Sequence, residues 1–260
     1  MILNNQKDPI EAINILAQSN RHSVMIEGPE GCGKSYLAME YSRSLGISDF
    51  QVLEPKVDSL KSSIDSFASL QTPLVVCIEN LDLGSSGASY SLLKFLEEPS
   101  ENVYLVVTCR NIRKVPDTII SRSAVINVGP PTYSDLVTYG DSIDSTKVRN
   151  VMNSPVWRCA RSFSDVRIIL SMSSENLRYF DELYEICKFK DTVSNIVWNI
   201  GHYPDNSETP VRLVIQCIMD RVNTSHIRKA GVDCLNDLAS KRVASHAAIA
   251  KFAFEAKYCE

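Results

Sequence analysis

With 260 residues, 44% of them hydrophobic and 22% charged, the chain has the composition of a folded globular protein, which excludes disorder or low complexity as its theme. A formal net charge of -4 excludes a uniformly basic nucleic-acid coat, while local patches stay possible. No apolar run approaches the roughly 20 residues of a membrane span, and the eight cysteines lie scattered without a C-x-x-C pair, so a reduced, cytoplasmic protein is expected.

Along the chain, five short apolar runs read as strands: Ser23 to Glu27, Phe50 to Glu54, Leu74 to Ile78, Val103 to Val107 and Ala124 to Val128. Segments with helical character separate most of them, and that alternation predicts an α/β domain with a parallel sheet covered on both faces. A helix is expected from Lys34 to Leu45, stopped by Gly46, and another over Val57 to Leu70, with Val57, Leu60, Ile64, Phe67 and Ala68 on one face. Pro130-Pro131 ends the fifth strand and marks a change of architecture. Beyond it a short helical segment reaches about Ser173. Further helices are expected around 177–187, 193–200, 211–222, 227–239 and 244–258, with a turn at Tyr203 to Ser207.

Chemistry enters at Gly28-Pro29-Glu30-Gly31-Cys32-Gly33-Lys34-Ser35, which fits G-x-x-x-x-G-K-[ST] between a strand and a helix. Glycines at 28, 31 and 33 let the backbone curl so that N–H groups and the helix N-terminus face phosphates. Lys34 would neutralise the β- and γ-phosphates of a nucleoside triphosphate and Ser35 would ligate Mg2+. The nucleotide-binding set therefore runs from Gly28 through Ser35 to Tyr36, with Cys32 a small residue that fits the loop.

A second motif lies at the end of the strand Leu74 to Ile78, in Glu79-Asn80-Leu81-Asp82. Glu79 can serve the metal. Asn80 has no basic lone pair with which to accept a proton from an attacking water, although it could orient one. Asp82 is a displaced alternative, shifted by two residues from the position that catalysis tolerates. The expectation is a site that binds nucleotide well and hydrolyses it slowly on its own.

Ser91-Leu92-Leu93-Lys94-Phe95-Leu96-Glu97-Glu98-Pro99, the strand from Val103, and Thr118-Ile119-Ile120-Ser121-Arg122-Ser123 together resemble the clamp-loader branch of the AAA+ ATPase family, which reads A-L-L-K-x-L-E-E-P, a sensor strand, then T-I-x-S-R-C. Ten residues separate Asn80 from Ser91, the family's own spacing, so Glu79 falls on its metal-binding Asp and Asn80 on its catalytic Glu. The resemblance implies that Arg122 is the arginine finger given to a neighbouring subunit's site. Asn111, or Arg110 beside it, falls at the first sensor position, where Thr-Cys-Arg-Asn departs from the usual Thr-Thr-Asn/Asp. Ser164-Asp165-Val166-Arg167-Ile168-Ile169-Leu170 resembles the lid's G-D-x-R-x-x-L, which makes Arg167 the second sensor.

The resemblance spans about residues 22 to 172. It implies a five-stranded AAA+ domain over residues 1–130, a helical lid over 131–173 and an all-helical, collar-like domain over 174–260. It also implies ATP with Mg2+, other clamp-loader subunits in a pentameric ring, a sliding clamp, and primer-template DNA held independently of sequence, with no membrane. Lys34 and Glu79 lie 45 residues apart with Cys77 alone between them, so the family's four-cysteine zinc insert is missing, and a virus-encoded or minimal member acting in a host cytoplasm is expected. Lys56, Lys61, Lys94, Arg110, Arg113 and Lys114 offer charge for partner contact. Rival readings are a fully active motor of the same family, a small-molecule kinase with the same phosphate loop, and an architectural subunit that holds no nucleotide.

Overall fold

In a parallel sheet with helices on both sides, alternate strand residues enter two different cores, so every position of a central strand is apolar. The computed structural model describes residues 3–57, 60, 63, 66, 67, 70–174, 176–178, 215, 219, 225–240, 251 and 252. Among them, β1 (Ser23–Glu27), β2 (Phe50–Leu53), β3 (Leu74–Ile78), β4 (Val103–Cys109) and β5 (Ala124–Asn127) form one sheet in the order β2-β3-β4-β1-β5. Each pairing is parallel. All five expected strands are present. β4 runs two residues further than its apolar letters suggest, because Thr108 and Cys109 stay in register with Ile26 and Glu27 of β1.

Val24, Ile26, Val75, Cys77, Tyr104 and Val106 point into one core, with Leu37, Ala38 and Tyr41. Met25, Leu74, Val76, Ile78, Val103, Leu105 and Val107 point into the other, with Leu92, Phe95 and Leu96. The helix α1 (Lys7–Gln18), which the strand pattern alone does not announce, covers the first core through Ile13 and Ala17 and packs along α2 (Lys34–Ser44). It ends on Asn20, whose φ of 50° allows Asn20 N–H to reach Ala17 O and Arg21 N–H to reach Leu16 O. The end of α2 repeats this with Gly46, donating to Arg43 O, and Ile47, donating to Ser42 O.

The helix α3 (Ser86–Glu97) starts five residues before the Ser91 stretch that announces it in sequence and covers the second core. The expected helix over 57–70 is described only in part, with Leu60 and Phe67 buried there. A short helix α4 (Asp117–Ile120) precedes β5. The chain leaves β1 toward β2 on one side and leaves β4 toward β5 on the other, and this reversal opens the crevice where such sheets hold ligands, beyond the strand C-termini.

Two compact units are seen, Met1–Asp135 and Leu136–Glu260. The helix α5 (Tyr133–Val151) begins in a reciprocal cap, in which Asp135 N–H donates to Thr132 Oγ1 at 3.2 Å and Thr132 Oγ1 and N donate to Asp135 Oδ2 at 2.7 and 3.0 Å. It is broken at Asp144, whose carboxylate caps the following turn through Lys147 N–H. The helices α6 (Pro155–Arg158), α7 (Phe163–Ser171) and α8 (Ser225–Ser240) follow, the last covering the expected 227–239 helix. The expected helices over 193–200 and 244–258 fall almost wholly outside the described residues, as do most of those over 177–187 and 211–222 and the turn at Tyr203 to Ser207. Among the described residues no helix is long and apolar enough to cross a membrane.

Candidate functional site

The phosphate-type loop is seated between the ends of β4 and β5. Gly28 N–H donates to Cys109 O at 3.1 Å, and Val128 N–H donates to Glu27 O at 2.8 Å. A Cβ on Gly28 would lie 2.6 Å from Val128 O and 2.9 Å from Cys32 Sγ, so the close approach requires glycine. Gly31 and Gly33, at φ of 68° and 100°, turn the chain into α2, which starts at Lys34 with no side chain capping its first N–H groups. Those groups are therefore available to an anion, as the helix dipole favours.

Lys34 is buried, and its Nζ donates to Gly28 O and Pro29 O, each at 2.8 Å. Cys32 is fully buried under the loop. Burial pushes its thiol up, against a smaller lowering by Lys34. Asn5 Nδ2 donates to Cys32 O and Gly129 O, bracing the loop from a segment that sequence motifs do not flag. Tyr36 faces the α1 side of the sheet, where burial first and Glu40 second raise its phenol.

Ser35 Oγ donates to Glu79 Oε1 at 2.5 Å, so the two predicted Mg2+ ligands meet across 44 residues. A hydroxyl and a carboxylate are the hard oxygen donors that Mg2+ takes in such sites, and the pair fits the ion. Asn80 adopts the left-handed conformation, φ 52° and ψ 52°, and its N–H donates to Thr108 Oγ1 at 3.0 Å. Asp82, the displaced alternative base, accepts Arg110 N–H through Oδ1 at 3.1 Å. Burial, with smaller contributions from Asp82 and Glu27, pushes the neighbouring Cys109 thiol up to about 12.

Arg110 joins the loop to the second motif. Its Nη1 donates to Glu30 Oε2 at 2.8 Å, and its Nε lies 3.5 Å from Asn80 Oδ1. Asn111, by contrast, spends its side-chain oxygen on Arg113 N–H, capping the short turn Ile112–Lys114. Arg122 is exposed, donating to Thr118 O at 2.9 Å and pairing with Glu97 at 3.0 Å, so its partners are not residues of the loop. In the second unit Arg167 Nε donates to Tyr139 Oη at 2.5 Å, while Asp165 accepts Arg161 N–H and thereby helps cap α7.

A family model described as DNA polymerase III, delta subunit, matches residues 51–132. The replication factor C small subunit of Saccharolobus solfataricus is 24% identical over 151 residues, covering 51% of this chain and 44% of that one. The sliding-clamp-loader large subunit of Escherichia phage RB69 is 22% identical over 166 residues, covering 61% and 50%. The chain thus spans about half the length of the curated relatives it matches. A solved DNA polymerase III gamma subunit-related protein from Thermotoga maritima shares the fold, with a TM-score of 0.57, 15% identity, and coverage of 96% of this chain and 99% of that one. Motif register, family-model match and relatives support a clamp-loader AAA+ family, and the solved structure shows the shared fold.

Proposed function

We propose that this chain is an ATP-binding clamp-loader subunit that helps place a sliding clamp on primer-template DNA and that turns ATP over slowly by itself. The reading is carried by one juxtaposition. Ser35 and Glu79 are paired where Mg2+ is needed, while the next residue, Asn80, offers an amide where hydrolysis needs a carboxylate. Ser35 and Glu79 would hold Mg2+, whose charge would offset that of the phosphates.

This chain's own residues do the rest. Lys34 releases the carbonyls of Gly28 and Pro29 to face the phosphates, the first N–H groups of α2 receive them, and Ser35 and Glu79 hold the ion. Arg122, exposed and tethered at the surface, is suited to donation into a neighbouring subunit's site. In an oligomeric ring, ATP binding would serve as a switch of conformation and Arg122 would serve a competent neighbour. DNA would be held by backbone contacts that weaken with salt.

The test is ATP affinity and single-turnover hydrolysis for the wild type, Lys34→Ala and Asn80→Glu, with and without clamp and primed DNA. Binding is expected to fall at least tenfold in Lys34→Ala. Hydrolysis is expected to be negligible in the wild type and to rise in Asn80→Glu. Robust wild-type turnover on DNA overturns the slow-switch reading in favour of a motor, and absence of nucleotide binding overturns both.

A further inference from the structure

We propose that Asn5 is a positioning residue for triphosphate binding, whose side-chain amide holds the Cys32 carbonyl outward and thereby turns the Gly33 N–H toward the phosphates. This role rests on the ATP-binding reading above and falls to a residue outside both sequence motifs.

Asn5 sits in the tight turn Asn4–Gln6, where Gln6 N–H donates to Leu3 O at 3.0 Å and the Leu3 and Gln6 side chains are buried on either side. The turn is also tied from behind. Asn4 N–H donates to Asp135 Oδ1 at 2.6 Å, and the Asn5 N–H reaches the same carboxylate. From this anchored backbone the amide nitrogen Nδ2 spends its two hydrogens on carbonyls, Cys32 O at 3.2 Å and Gly129 O at 3.1 Å. The flipped amide is disfavoured, because it would set an oxygen against two oxygens.

A trans peptide is planar, with its C=O and N–H directed to opposite sides, and none of the described peptide bonds is cis. Holding Cys32 O against Asn5 therefore turns the Gly33 N–H away from it. That N–H has no acceptor among the described residues, and Gly33, at φ 100°, leads directly into the uncapped first turn of α2. An open N–H beside a helix N-terminus is a donor for an oxyanion. Without Asn5 the Cys32–Gly33 peptide would be free to rotate and set a carbonyl against the phosphates, a repulsive contact. The other end of the amide argues against a brace of the fold alone. Asn5 Oδ1 is buried without a partner, and an orphan acceptor is costly to keep, so the side chain is held for what its nitrogen does.

The experiment is titration of the full chain, in Mg2+, with non-hydrolysable analogues of ATP and of inosine triphosphate, in the wild type, Asn5→Ala and Asn5→Asp, with urea midpoints to show that each variant is folded. Asn5→Ala is expected to weaken both analogues by the same factor, about three- to tenfold, the worth of one hydrogen bond. Asn5→Asp, which keeps the shape but sets a carboxylate against two carbonyls, should weaken both further; Asn5→Ala alone decides if that variant does not fold. In isotope-labelled protein the Gly33 amide proton should move downfield when the ATP analogue binds, and less so in Asn5→Ala, a change that a merely structural role would not produce. Unchanged affinity in a folded Asn5→Ala, a loss confined to the ATP analogue, or an equal Gly33 shift in both proteins overturns the positioning role while leaving Lys34-dependent ATP binding intact. A wild type that binds neither analogue overturns this role and the underlying reading together.

Discussion

At Gly28 the site leaves space for a hydrogen atom, with Val128 O 2.6 Å and Cys32 Sγ 2.9 Å from where a Cβ would stand. One contact is backbone, which cannot rotate away, so Gly28→Ala must push the loop off β5. The substitution is expected to cost about 1–3 kcal/mol of stability, the range for overpacking a close contact, and to weaken ATP binding at least tenfold, measured by urea unfolding and nucleotide titration. At this scale much of the site is legible in the sequence. The loop letters are contiguous, and the end of an apolar strand announces Glu79 and Asn80. What cannot be read is the meeting of Glu30 with Arg110, because 80 residues separate them and only the β1–β4 register, Glu27 against Cys109, brings their backbones together. The same register explains why Arg110, and not Asn111, faces the loop: Asn111 already lies past the strand and caps a turn.

Among the elements, the central strand β3 is readable because it is apolar on both faces, with Val75 and Cys77 buried on one side and Leu74, Val76 and Ile78 on the other. The helix α1 is not, since Ile13 and Ala17 form a short apolar stripe among polar letters and its other signal, the left-handed Asn20, looks like any turn residue. The cap of α5 carries a further expectation. Asp135 is buried, which pushes its carboxyl up, but hydrogen bonds from the Thr132 hydroxyl and N–H and from the Asn4 and Asn5 amides outweigh this and hold it below its ordinary value of 3.8. A carboxylate with a depressed folded pKa stabilises the fold above its unfolded pKa, and that contribution is lost as pH falls below about 4 and through the folded value. Asp135→Asn is therefore expected to lower stability by about 1–3 kcal/mol at pH 7, the worth of hydrogen bonds to a charged group. The deficit relative to wild type should shrink between pH 5 and pH 2.5, as read from urea midpoints. A deficit that stays constant over that range would mean that the charge of Asp135 contributes nothing to the cap.

At the scale of the whole molecule, the strand order sets a timetable for synthesis. β1 emerges from the ribosome early, yet its two neighbours are β4, beginning at Val103, and β5, beginning at Ala124. Until both arrive, Val24, Met25 and Ile26 have unpaired backbone and an apolar face on either side, the condition in which a nascent strand is most open to wrong pairing. β2 and β3 can pair with each other meanwhile, but they cannot shelter β1, because β4 must be inserted between. The nucleotide loop is therefore completed late although it is encoded early, when Val128 closes on Glu27. A chain ended at residue 120 should show no cooperative unfolding and no Lys34-dependent ATP retention, whereas one ended at residue 172 should show both. If the shorter chain held ATP, β5 would not be the closing piece. A cell making this protein must shelter its central strand for about eighty residues until β4 arrives and about a hundred until β5 does, an interval in which a chaperone has more to offer than at any later time.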